Sequence, residues 1–248
     1  MTMLECRDLR KRYSGRGGHV DALRNVSLTL EQGEILGVVG ESGSGKSTLL
    51  RLISGLEAPD GGELRLKGGL LGPRRTKADY RCIQMIFQDA AASFHPRRTI
   101  AASIRESVRS LCGRGAEPDR AGLAALVGLT PEFMDRRPGQ LSGGQCQRFA
   151  IARAVAVSPE LLLCDEVTSA LDVSSQAQIL RLLAGICRER EMSALFVGHD
   201  LAVVSCLCDR ILVMRDGAVV EEGPTERIIR APGTAYTREL LDSVLELR

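Results

Sequence analysis

Tryptophan is absent and aromatic residues make up only 3% of the 248 residues, so the stacked aromatic platform that grips single-stranded nucleic acid has nothing to be built from. Charge of one sign is equally missing. The chain sets 33 Lys+Arg against 31 Asp+Glu, a net of +2, without the basic footprint that nucleic-acid binding needs. No apolar run approaches the roughly 20 residues that cross a bilayer; stretches such as 35–39 and 161–164 are strand-sized. The opening Met1-Thr2-Met3-Leu4-Glu5-Cys6-Arg7 turns charged at once and holds no apolar h-region, which sets the expectation of a cytoplasmic chain. The eight cysteines are scattered singly apart from Cys206 and Cys208, and Cys6, Cys164 and Cys187 sit in apolar runs. Buried free thiols are expected, and no structural metal, because Cys206-Leu207-Cys208 has no second close pair at ligand spacing.

What is present is an ordinary globular composition, 44% hydrophobic, enough for a substantial core. Short strand-like runs broken by turns cover 4–36, which fits hairpins or a small antiparallel sheet. The continuous run Glu34-Ile35-Leu36-Gly37-Val38-Val39 reads as a strand buried on both faces. Similar runs end in Cys164 and in Val197, each followed by a turn and a helix-compatible stretch; buried strands alternating with helices predict an α/β parallel sheet. Helical spacing marks 46–56 and 147–157. Asp216-Gly217 between β-rich runs predicts a hairpin. From Asp89 to about Val157 the strand signal lapses, and a mostly helical insertion is expected.

Gly40-Glu41-Ser42-Gly43-Ser44-Gly45-Lys46-Ser47, with Thr48 next, matches the P-loop pattern, and it stands between a buried strand and a helix as the chemistry demands. Glycines let backbone N–H groups wrap a phosphate, Lys46 reaches the β/γ oxygens, and the Ser47 hydroxyl is a Mg²⁺ ligand. Asp165 and Glu166 end a second buried strand, where ligands of open α/β sheets collect: Asp165 for the metal, Glu166 for the attacking water. Acidic residues there are also ordinary helix caps. Leu141-Ser142-Gly143-Gly144-Gln145 offers another helix start suited to phosphate.

The order P-loop, LSGGQ, Walker B resembles the nucleotide-binding subunit of ABC transporters over nearly the whole chain. The resemblance implies a P-loop NTPase core with a parallel sheet and an N-terminal antiparallel β subdomain (1–88 and 158–248), plus a helical subdomain (89–157). It implies ATP and Mg²⁺ as cofactors and head-to-tail pairing with a second ATPase subunit, so that Ser142, Gly143, Gly144 and Gln145 of one subunit close on the ATP held by the other. It also implies two transmembrane permease subunits and, indirectly, an extracytoplasmic binding protein, with this chain peripheral at the cytoplasmic face of the membrane. Gln88 matches the Q-loop glutamine that contacts Mg²⁺ and water, Asp172 the D-loop aspartate, and His199 the switch histidine at the γ-phosphate. Tyr13 corresponds to the residue that stacks on adenine. Read without the family, Asp172 is an N-cap for a helix near Val173, and Tyr13 is core or edge packing.

Three positions depart from the family's usual residues: Val167 for proline, Gly198 for threonine, and Cys146 after LSGGQ. None removes a catalytic group, although two turns are expected to loosen. Ala92-Ser93-Phe94-His95-Pro96-Arg97-Arg98-Thr99-Ile100, the stretch Thr168-Ser169-Ala170-Leu171-Asp172-Val173-Ser174-Ser175-Gln176-Ala177-Gln178-Ile179-Leu180 and Ala235-Tyr236-Thr237-Arg238-Glu239-Leu240-Leu241 resemble the peptide and nickel importer branch. An importer ATPase is therefore expected, with peptide or a nickel or metal chelate as cargo. An exporter or lipoprotein-releasing ATPase shares the catalytic residues and is the alternative. A soluble ABC ATPase acting on ribosomes or DNA generally needs two cassettes or a long coiled coil.

Overall fold

Strands β1 (Thr2–Gly15) and β2 (Gly18–Glu31) form an antiparallel hairpin in which Leu4 faces Leu30 and Tyr13 faces Val20. The computed structural model describes residues 1–15, 18–169 and 171–245; Arg16 and Gly17 of the expected 14–18 loop, Ala170 of the D-loop string, and 246–248 lie outside them. The chain divides into two units, Met1–Arg75 with Glu191–Arg248, and Thr76–Arg190.

In the first unit the hairpin is followed by β3 (Ile35–Val39), α1 (Lys46–Ser54), β4 (Gly61–Leu66) and β5 (Gly69–Leu70). The second unit holds α2 (Lys77–Cys82), β6 (Ile83–Ile86), α3 (Ile100–Cys112), α4 (Arg120–Leu126), α5 (Gly143–Val155), β7 (Leu161–Asp165) and α6 (Val173–Glu189). The chain then returns to the first unit as β8 (Ser193–Gly198), α7 (Leu201–Ser205), β9 (Arg210–Arg215), β10 (Ala218–Pro224), α8 (Thr225–Arg230) and α9 (Ala235–Leu245).

The first unit carries an antiparallel layer in the order β2-β1-β4-β5. Its apolar face buries Leu4 and Cys6 on β1 and Val26, Leu28 and Leu30 on β2, every second residue, while Leu9 is buried after a register shift that follows Cys6, with Asp8 at φ 47°. Strand β4 escapes a pattern search because Leu64 is its one buried residue. In the same unit β3 lies between β8 and β9, parallel to both, and all of its residues are buried, as the continuous apolar run requires. Strands β9 and β10 pair as the expected hairpin, with Asp216 and Gly217 both at positive φ, 48° and 77°.

In the second unit β6 and β7 run parallel, Ile83 beside Leu161 and Ile86 beside Cys164. Helix α3 buries Ile100, Ile104 and Val108, one stripe of an amphipathic helix, and Thr99 caps it by accepting from Ala102 N–H at 3.2 Å. Helix α5 is buried along most of its length and starts at Gly143, earlier than the apolar spacing of 147–157 indicates, because Ser142 caps it inside the LSGGQ string. Cys6, Cys146, Cys164, Cys187 and Cys208 are buried, Cys82 is half-buried, and Cys112 and Cys206 are exposed. Burial pushes the Cys187 thiol up to about 11, the behaviour of an inert packing thiol.

Val204 of α7 nests against two glycines. A Cβ on Gly37 would lie 2.3 Å from Val204 Cγ1, and one on Gly198 would lie 2.9 Å from Val204 Cγ2. Glycine at 198 thus lets α7 approach β8 more closely than a threonine would. Gly37→Ala is expected to lower the unfolding free energy by about 1–3 kcal/mol through overpacking. Urea denaturation checks this: an unchanged midpoint would mean that α7 slides aside at no cost.

Candidate functional site

The residues expected from the sequence divide between the two units, Tyr13, 40–48 and His199 in the first and Gln88, 142–145, Asp165, Glu166 and Asp172 in the second. In the first, β3 ends at Val39 and the chain turns at Gly40, φ 151°, where a Cβ would lie 2.1 Å from the carbonyl oxygen of Met214. No side chain fits there. Helix α1 follows with Gly45 at its N-cap, a residue that offers no side-chain acceptor to the first-turn N–H groups. Lys46 is 4% exposed. Its Nζ donates to Gly40 O at 2.7 Å, Glu41 O at 2.8 Å and Ser44 Oγ at 3.3 Å, so a buried ammonium is held by its own loop. Ser42 and Gly43 are exposed, and Ser47 and Thr48 are half-buried.

Tyr13 is 37% exposed, with its hydroxyl donating to Glu57 Oε2 at 2.5 Å and Lys11 Nζ 5.6 Å from the ring centroid. Burial, reinforced by Glu57, raises its pKa. His199 is exposed at the end of β8.

In the second unit the structure joins two of the expected residues. Gln88 Nε2 donates to Glu166 Oε2 at 3.2 Å and to Ser169 Oγ at 3.1 Å. Glu166 has φ 44°, a left-handed backbone rare for a glutamate and costly by about 1–3 kcal/mol. The turn it begins is not loose despite valine at 167: Ser169 closes it on Glu166 O, with N–H at 3.1 Å and Oγ at 3.0 Å, and Val167 is buried. Asp165 ends β7 immediately before it.

Ser142 and Gln145 form a reciprocal capping box. Ser142 Oγ accepts from Gln145 N–H at 3.3 Å, and Gln145 Oε1 accepts from Ser142 N–H at 3.0 Å. Ser142 and Gly143 are exposed, while Gly144 is half-buried in the first turn. Cys146 next to the string is buried and donates to Pro138 O at 3.4 Å. Asp172 is the N-cap of α6, accepting from Ser175 N–H at 3.0 Å, Ser174 Oγ at 2.7 Å and Ser175 Oγ at 2.8 Å.

A scan of family models matches residues 23–169 to the ABC transporter family. The chain belongs to that family. This ABC ATPase is 43% identical over 258 residues to the oligopeptide transport ATP-binding protein OppF of Escherichia coli (strain K12), covering 98% of this chain and 77% of that protein. It is also 43% identical to the glutathione import ATP-binding protein GsiA of Shigella dysenteriae serotype 1, over 98% of this chain and 41% of that one. Among solved structures, the dimeric post-hydrolysis state of the ATP-binding cassette MJ0796 bound to ADP and Pi superimposes with TM-score 0.80 at 31% identity, over 90% of this chain and 99% of the other. The fold is that of an ABC ATPase, and the activity is ATP hydrolysis.

Sequence reasoning missed three participants. Ser169 was visible only as a member of the D-loop string. Arg153, on α5, donates to Ser93 O at 2.5 Å and Ser93 Oγ at 3.0 Å, and lies 4.4 Å from the Phe94 ring centroid. It pins the stretch after Gln88, so Phe94 is buried while 95–98 stay exposed. Tyr236, the third, reaches the P-loop from α9. No local periodicity signals any of these pairings.

Hydrogen bonding from Ser175 N–H and the hydroxyls of Ser174 and Ser175 holds the Asp172 carboxyl well below its ordinary value of 3.8. A depressed folded-state pKa contributes stability that is complete above that ordinary value and is lost as pH falls through the folded one. Asp172→Asn should therefore unfold at lower temperature than the parent near about pH 6, with the gap beginning to narrow only below about pH 4 and closing at still lower pH. Thermal melts from about pH 6 down to about pH 2 check it; a gap that does not shrink over that range would leave the charge without a role.

Proposed function

We propose that this chain powers a membrane importer for peptides, binding ATP in the 40–48 loop and hydrolysing it with Glu166 as the group that polarises the attacking water. The observation that carries the catalytic reading is the Gln88–Glu166 contact at the end of β7: a carboxylate, directly after Asp165, oriented by an amide and by the Ser169 turn. Phosphoryl transfer to water asks mainly for positioning and charge neutralisation. Lys46 supplies a cation, Glu166 an oriented base, and His199 a contact for the γ-phosphate. Tyr13 stacks on adenine in this reading, with its hydroxyl tethered by Glu57.

Ser47, Asp165 and Gln88 present a hydroxyl, a carboxylate and an amide oxygen, a donor set of hard oxygens that fits Mg²⁺. Gln88 turns its Nε2 to Glu166 and Ser169, so its remaining polar atom, Oε1, is the one left for a cation. Bound there, Mg²⁺ neutralises phosphate charge.

The working unit is read as a pair of such cassettes, with Ser142, Gly143, Gly144 and Gln145 of one closing on the nucleotide of the other and Asp172 reaching across. The pair opens and closes with hydrolysis and drives two permease subunits, which receive cargo from an extracytoplasmic binding protein. Within the chain, 1–88 and 158–248 act as the ATPase core and 89–157 as the helical subdomain, peripheral at the cytoplasmic face. Among the described residues no helix is long and apolar enough to cross a membrane. Peptide is favoured as cargo because the relatives are named for oligopeptide and glutathione import.

Two substitutions separate binding from hydrolysis. Glu166→Gln is expected to retain ATP binding while turnover falls by at least about 100-fold, the scale of a lost general base. Lys46→Ala is expected to abolish ATP binding measured by calorimetry. Undiminished turnover of the first in the assembled transporter, or normal affinity of the second, overturns the assigned roles.

A further inference from the structure

The backbone N–H of Glu41, inside the phosphate-binding loop, donates to the hydroxyl of Tyr236 at 3.1 Å. Tyr236 lies in the first turn of α9, is 5% exposed, and carries the guanidinium of Arg215 at 4.6 Å from its ring centroid. The start of α9 is fixed in turn. The buried carboxylate of Glu221, on β10, accepts from Gly233 N–H at 2.7 Å, Thr234 N–H at 3.1 Å and Thr234 Oγ1 at 3.2 Å. Thr237, fully buried, shares a hydrogen bond of 2.8 Å with Thr234. The ring therefore meets the loop on a rigid support.

The peptide group joining Gly40 to Glu41 is planar, and its C=O and N–H point in opposite directions. Its N–H is the one taken by Tyr236, and its C=O is the one that holds Lys46 Nζ at 2.7 Å. Rotating that plane breaks both bonds together. Fixing one end fixes the other.

We infer that Tyr236 is a positioning residue for nucleotide binding: by orienting the Gly40–Glu41 peptide it sets where Lys46 rests, and it couples the order of α9 to occupancy of the loop. The inference rests on the reading of 40–48 as the phosphate cradle. Coupling of this kind is reciprocal, so ATP must steady α9 as much as α9 favours ATP.

Tyr236→Phe removes the acceptor and keeps the ring beneath Arg215. In the full chain with its transport partners, the KM for ATP is expected to rise roughly fivefold, the scale of one hydrogen bond, with kcat at saturating ATP unchanged. Hydrogen exchange supplies the second readout: Mg-ATP should slow exchange of the 236–241 amides in the parent and fail to do so in the variant. A variant that keeps the parental KM and the ATP-dependent protection overturns the inference, as does one that loses thermal stability alone or kcat alone. Should the parent bind no ATP, or Lys46→Ala bind it normally, the phosphate-cradle reading itself falls.

Discussion

The ammonium of Lys46, buried and held by the carbonyls of Gly40 and Glu41, is the interaction on which the conformation of the 40–48 loop depends. A cation removed from water needs acceptors. The loop supplies them by folding back on its own lysine, and that path requires a residue without a Cβ where Gly40 passes the carbonyl of Met214. Met214 belongs to β9, and the turn after it continues the support: Gly217 N–H donates to Ser44 O at 3.1 Å, while Arg24 N–H on β2 donates to Gly217 O at 2.7 Å. The phosphate loop is thus shaped by strands far from it in the chain, and Tyr236 adds a helix to that frame.

The two glycine-rich helix starts solve different problems with similar residues. At α1 the cap is Gly45, which leaves the first turn without a side-chain acceptor of its own. At α5 the cap is Ser142, whose hydroxyl is already used by Gln145 N–H at 3.3 Å. One start is shaped around the lysine; the other is closed on itself and exposed.

The end of β7 shows how a backbone departure is kept in place. Glu166 adopts a left-handed φ that its neighbours must enforce, and Ser169 does so through two bonds to its carbonyl, while Gln88 holds the carboxylate. Valine replaces the family's usual proline without opening the turn, since Val167 is buried and Ser169 closes the ring of bonds. Proline would restrict φ at that position; burial and hydrogen bonding do the same work by other means.

Local rules were enough to read much of this from the chain. Continuous apolar runs marked β3, β7 and β8 as strands covered on both faces, Asp216-Gly217 marked the β9–β10 hairpin, and Asp172 could be seen as a cap, because each signal lies within a few residues of its effect. The glycines, lysine and carboxylates of the candidate site stand in short local strings for the same reason. Tertiary structure alone decided the contacts that orient them: Tyr236 with Glu41 across 195 positions, Gln88 with Glu166 across 78, and Arg153 with Ser93 across 60. Hydrogen-bond geometry over such separations depends on how strands stack side by side and on which helix lies over their ends, and no period of 2 or 3.6 residues encodes that.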